Sequence, residues 1–144
     1  MAIDDWRITL LLADAAQVAD GKLFIIGGGW QFMSTPLSPH AVAGLISVPW
    51  SETNRKHRVT VALQGEDGQP IRVAVGQEEA KPLDFWTEFE LGRPAGVKPG
   101  TALNIPFSFL VGPLPLPPGR YVWVCTLDKE TPRDDWRLVF DVRA

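Results

Sequence analysis

Alternation of apolar and polar residues with a period of two constrains the fold of this chain more than any other feature. From Leu103 to Val111 the odd positions Leu103, Ile105, Phe107, Phe109 and Val111 are all apolar, and Asn104, Pro106 and Ser108 lie between them. Val59, Val61 and Leu63 alternate in the same way with Arg58, Thr60, Ala62 and Gln64. The last such stretch sets Trp136, Leu138, Phe140 and Val142 against Arg137, Val139, Asp141 and Arg143. A period of two belongs to a strand with one face on a core and the other toward water. Helix signals are nearly absent. Between Tyr121 and Leu127 the intervening Val122 and Val124 are apolar too, which predicts a central strand buried on both faces.

Adding Trp6–Ala13, Lys22–Gly28, His40–Val48, Pro70–Val75 and Phe85–Leu91 gives about nine short strands. They are separated by turn residues such as Asp20-Gly21, Asp67-Gly68 and Lys98-Pro99-Gly100. Short strands with Gly and Pro punctuation predict an all-β fold, an antiparallel two-sheet sandwich of immunoglobulin-like type. With 144 residues, no solenoid repeat and no linker, residues 1–144 read as a single domain. Cys125 is the sole cysteine, which suits a reducing compartment. The opening MAIDDWRITLLLA places acids where a signal peptide needs positive charge, so the expected location is cytoplasmic. A net charge of -3 offers no general attraction to nucleic acid or to anionic membranes.

The stretch DGKLFIIGGGWQF, residues 20–32, raises the question of a phosphate loop. Such a loop needs glycines opening a helix, whose N-terminal amides hold the anion. Gly27, Gly28 and Gly29 instead lead into Trp30-Gln31-Phe32-Met33, with Pro36 close behind and no Lys-Ser or Lys-Thr. Their expected role is structural: a bulge, a bend or close approach of another backbone. A Cβ at Gly28 is expected to lower stability.

Residues 13–30, ADAAQVADGKLFIIGGGW, resemble the N-terminal signature of a family of small uncharacterised bacterial all-β proteins. Asp14, the Gly21-Lys22-Leu23 turn and strand, and the Gly28-Gly29-Trp30 corner carry the resemblance. It continues more weakly through LPPGRYVWVCTLD, residues 116–128. The resemblance implies the fold and a bacterial source. It brings no activity, cofactor or catalytic residue.

Catalytic constellations are not evident in the sequence. His40 and His57 lie at no metal-ligand spacing from each other or from Cys125, and no Gly-x-Ser-x-Gly elbow accompanies them. Cys125 sits mid-strand among apolar neighbours, where a thiol is inert. DDWR occurs twice, as Asp4-Asp5-Trp6-Arg7 and Asp134-Asp135-Trp136-Arg137. If the first strand ran parallel beside the last, the four carboxylates would share one end and offer oxygens to calcium. No Gly-bracketed Asp loop supports this, and acids flanking exposed strand starts explain the pairs as well.

Recognition surfaces are better supported. On Phe85–Leu91 the alternation turns Trp86 outward beside Glu88 and Glu90, an anchor for a protein partner or a sugar ring unless a loop covers it. Trp50 and Trp30 raise the same possibility. GPLPLPPGR, residues 112–120, has the P-x-x-P-x-R spacing of a polyproline ligand, but joins two strong strand patterns and reads as a stiff crossover. Arg55-Lys56-His57-Arg58 reads as a solvated hairpin turn. The sequence thus leads to a non-enzymatic interaction or structural module without a cofactor, with a protein partner or self-association. The alternative is a small-ligand, carbohydrate or calcium-binding module.

Overall fold

The computed structural model describes residues 5–74, 76–128 and 133–144. Among them are eleven strands: β1 (Arg7–Ala19), β2 (Lys22–Gly28), β3 (Phe32–Ser34), β4 (His40–Val48), β5 (Lys56–Gly65), β6 (Arg72–Val73), β7 (Lys81–Pro82), β8 (Asp84–Glu90), β9 (Leu103–Val111), β10 (Gly119–Leu127) and β11 (Arg137–Arg143). A short 3-10 turn, Trp50–Glu52, precedes β5. The all-β class follows directly from the period-two sequence. Two of the strands, β3 and β7, exceed the expected nine because pieces of three and two residues are too short to carry a period.

The strands form three sheets, ordered β2-β1-β4-β9, β3-β11-β10-β5-β8 and β6-β7. This corrects the expected count of two. The first strand does not run beside the last, as the shared acid end would require: β1 lies between β2 and β4, and β3 takes the parallel place beside β11. β10 occupies the centre of the five-stranded sheet, as its two apolar faces require. The segment Arg55–Arg58 does not lie in a hairpin, because β4 and β5 belong to different sheets and the chain crosses between them there.

One core joins the two large sheets. Ile8, Leu12, Val42 and Ile46 come from the four-stranded sheet, and Val59, Leu63, Trp123 and Phe140 from the five-stranded one. Each large side chain so buried contributes roughly 1.5–3 kcal/mol relative to exposure. Gly44 faces Phe107 across the β4–β9 pair, and a Cβ there would run into the Phe107 ring. The missing side chain lets the ring lie flat on the sheet. Between β9 and β10 the proline-rich crossover buries Leu114 and Leu116 while Pro115, Pro117 and Pro118 stay exposed. Reciprocal backbone bonds between Leu37 and Leu114, 2.9 and 3.1 Å, hold it to the chain that follows β3.

β1 runs six residues past the end of its pairing with β4, which stops at Ala13 opposite Ala41. From Ala15 to Ala19 its partner among the described residues is β2 alone. This distal hairpin, turned by Asp20 and Gly21 at positive φ, frames the surface described next.

Candidate functional site

Alternation along β8 buries Phe85 and Phe89 partly and turns Trp86 outward, where it is 53% exposed. Thr60 lies opposite Trp86 on β5 and Arg58 opposite Glu88. The Arg58 guanidinium sits 3.8 Å over the indole ring and its Nη2 donates to Glu88 Oε1 at 2.8 Å. This bond, with the positive fields of Arg58 and Lys56, holds the Glu88 carboxyl below its ordinary value. Glu90 pairs in register with Lys56. The acids beside Trp86 thus face basic residues of β5, which reduces their pull on a cationic ligand.

Beside Trp86 a groove of about 600 Å³ opens between the edges of β8 and β9, with Ala16–Val18 of β1 on its rim. Pro106, Phe109 and Leu110 line it, and none of its lining residues is charged. A smaller hollow of about 130 Å³ lies against Phe24 and Ile26 and shares Ala16 and Gln17 with the groove. Ile26 and Leu110 are each 70% exposed. The two hollows meet only at Ala16 and Gln17, adjacent β1 residues whose side chains point to opposite faces of the hairpin: Gln17 lies with Phe24 and Ile26, and Ala16 with Val18. A further hollow, of about 530 Å³, lies between β6 and the proline-rich crossover and includes Arg72.

The other tryptophans named from sequence sit elsewhere. Trp30 is half-buried, its ring edge-on to His40 at 5.4 Å and to Phe140 at 6.2 Å. Trp50 lies under Arg93, whose guanidinium is 3.9 Å from the ring and donates to the Trp50 carbonyl and the Thr53 hydroxyl. The structure does not bring Trp30 or Trp50 into the Trp86 groove.

Asp4 lies outside the described residues. Asp135 accepts two bonds from Arg133, at 2.9 and 2.8 Å, while Arg133 Nη1 donates to the Trp6 carbonyl at 3.1 Å. Asp134 is fully exposed near Arg137, and Asp5 is exposed. Arg133 thus draws the start of β1 toward the chain before β11, as a shared end would require, but Asp135 turns to arginine. Among the described residues no group of three His, Cys, Asp or Glu side chains is placed to hold a metal ion.

The glycine corner is a backbone device. Gly27 and Gly29 have φ of +62° and +93°, and the Gly29 N–H donates to the Leu12 carbonyl at 2.7 Å. A Cβ on Gly27 would collide with the Asp14 carboxyl, which lies across that position. Gly28 is not at positive φ. Its Cβ would meet the Ile25 Cγ2 branch methyl at 2.7 Å and Leu11 Cδ1 at 3.2 Å. The stringent position is therefore Gly27 rather than Gly28, and Asp14 is its steric partner. Pairing continues in unchanged register on both sides of Gly27, so the corner is a bend and not an inserted residue.

Cys125 is fully buried and burial pushes its thiol up to about 12. His57, expected in a solvated turn, is buried instead. Its Nδ1 lies 2.9 Å from Asp128 Oδ2 and its Nε2 2.8 Å from the Glu52 carbonyl oxygen, and its ring meets Trp6 edge-on at 4.9 Å. Sequence reasoning missed this cluster because Glu52, His57 and Asp128 come from distant segments. It also missed Phe24, Ile25 and Ile26 as surface residues, since an apolar run of that kind reads as buried.

A family comparison matches residues 8–138 to a family of unknown function (DUF6941), and the chain belongs to that family. No curated protein matches the chain.

Proposed function

We propose that this member of the family is a non-enzymatic protein-interaction module whose docking surface is the groove between β8 and β9 with the adjoining β1–β2 hairpin. The observation that carries the reading is the groove itself: exposed Trp86, Leu110 and Val18 border it and no charged residue lines it, while Phe24 and Ile26 expose further apolar surface on the other face of the same hairpin. Single apolar residues are normal on a surface, whereas a contiguous set marks a binding face. Tryptophan is among the side chains most enriched as interface anchors. An uncharged lining suits an apolar segment of a partner protein. The non-enzymatic part rests on Cys125, His40 and His57 being buried, the thiol pushed up to about 12 and His57 engaged at both ring nitrogens.

The immunoglobulin-like reading of the fold belongs here too. Crossings between the large sheets at β4–β5, β8–β9 and β9–β10 support it. So does Tyr121, whose hydroxyl donates to the Pro117 carbonyl at 2.7 Å as in the tyrosine corner of such sandwiches. Residues 13–30 as the family's signature and a bacterial source are part of the same reading. Among the described residues no helix is long and apolar enough to cross a membrane. A cytoplasmic location rests on the buried unpaired Cys125.

Affinity capture from a lysate of the source organism tests the docking face, with wild type, Trp86→Ala and Leu110→Asp as baits of verified fold. The expected result is a protein retained by wild type and lost by both variants. Identical recoveries from all three baits would overturn the reading.

A further inference from the structure

Unpaired strand edges invite other strands, and sheets ordinarily defend them with proline, charge or shortness. The four-stranded sheet ends on β2 and β9, the five-stranded sheet on β3 and β8. β9 carries Pro106 at its middle, where the missing N–H leaves a gap in any added ladder. β8 carries Asp84, Glu88 and Glu90. β3 is three residues long. Among the edge strands of the two large sheets in the described residues, β2 alone lacks proline, a mid-strand charge and shortness. Its seven residues, KLFIIGG, contain no proline and a single charge at the first position. All but Leu23 are exposed, Phe24 at 54% and Ile26 at 70%.

The hairpin that β2 closes is also under-supported. Beyond Ala13, β1 has no strand neighbour among the described residues except β2, and an isolated two-stranded ribbon is marginal in water. A third strand along β2 would stabilise it.

We propose that β2 is a self-association edge: β2 of one copy pairs antiparallel with β2 of a second copy, joining two four-stranded sheets into one of eight strands. The chemistry of the edge suits an added strand. A row of free N–H and C=O groups accepts an extended backbone, and the exposed Phe24, Ile25 and Ile26 accept apolar side chains. Identical edges paired antiparallel obey a two-fold axis, so the assembly closes at two copies. Charge placement agrees. Antiparallel pairing sets Lys22 of each copy toward the Gly27–Gly28 end of the other, whereas parallel pairing would stack the two lysines, an unfavourable arrangement. The uncharged centre also brings two copies of net charge -3 together without opposing like charges.

The proposal rests on the interaction-module reading, and sedimentation equilibrium separates the two. For wild type between about 1 and about 200 μM, the mass is expected to rise from 15.9 kDa toward twice that value. Phe24→Lys and Ile26→Lys, which place an edge-protecting charge on β2, are expected to hold it at 15.9 kDa. Val139→Lys, on the five-stranded sheet away from β2, is expected to dimerise like wild type. A wild type that stays monomeric, or a dimer that survives both β2 substitutions, overturns the proposal. Capture lost with Trp86→Ala would still support the docking face in that case. If the lysine variants do not fold, amide exchange on wild type decides: protection of β2 amides must rise with protein concentration.

Discussion

Gly27 illustrates how one position holds a constraint that its neighbours do not. Its φ of +62° lies in the left-handed region, and the Asp14 carboxyl occupies the space a side chain would need. Gly27→Ala is therefore expected to destabilise the protein by about 2 kcal/mol, from backbone strain and displacement of Asp14. Gly28→Ala is expected to cost less, about 1 kcal/mol, because its φ needs no glycine and the Ile25 branch methyl it meets belongs to an exposed side chain that can shift. Urea denaturation of both variants checks the order, and a larger loss at Gly28 would contradict it. The run of three glycines marked a bend in the sequence. Which glycine bears the strain was not legible, because φ depends on where β1 places Asp14.

At the level of elements, the crossover from the four-stranded to the five-stranded sheet is fastened by three segments meeting at His57. The 3-10 turn supplies the Glu52 carbonyl, β5 supplies His57, and the residue after β10 supplies Asp128. Asp128 Oδ1 also accepts the Arg58 N–H at 2.8 Å, and the Asp128 N–H returns a bond to the Arg58 carbonyl at 2.6 Å. Asp128→Ala removes both side-chain acceptors, including that for buried His57, and is expected to cost about 2–3 kcal/mol. Asp128→Asn, which keeps one acceptor oxygen, should fall between it and wild type. Denaturant midpoints for the pair check this; Asn tolerates the positive φ of Asp128 as Asp does, so equal losses would assign the effect to the carboxylate charge that both variants lack. The alternation of β5, β8, β9 and β11 was legible because half-buried strands write their faces into sequence. The distal part of β1 was not, since Asp14-Ala15-Ala16-Gln17-Val18-Ala19 contains small and polar residues that no core selects.

At the scale of the whole molecule, closure of the large sheets sets the response to pH. His40 opens β4 in one sheet, Trp30 lies against it, and Phe140 of the other sheet lies against Trp30. Desolvation in this seam lowers the His40 pKa from 6.5, opposed by its bond to the Ser38 carbonyl. As pH falls through the unfolded value of about 6.5, the unfolded chain takes up a proton that folded His40 resists, so stability declines. Unfolding free energy is expected to drop between pH 7 and pH 5.5, and His40→Leu is expected to flatten that slope. The same slope in both proteins would assign the decline to other groups. Residue order by itself determined the strand pattern, the all-β class, the central place of β10 and the outward turn of Trp86, because the two faces of a strand meet different solvents every second residue. The tertiary structure decided which sheet each strand joins, the burial of His57, the parallel β3–β11 pair and the exposure of β2. These depend on pairing between residues far apart in the chain, and the same apolar run satisfies a buried strand or an open edge until its neighbours are in place.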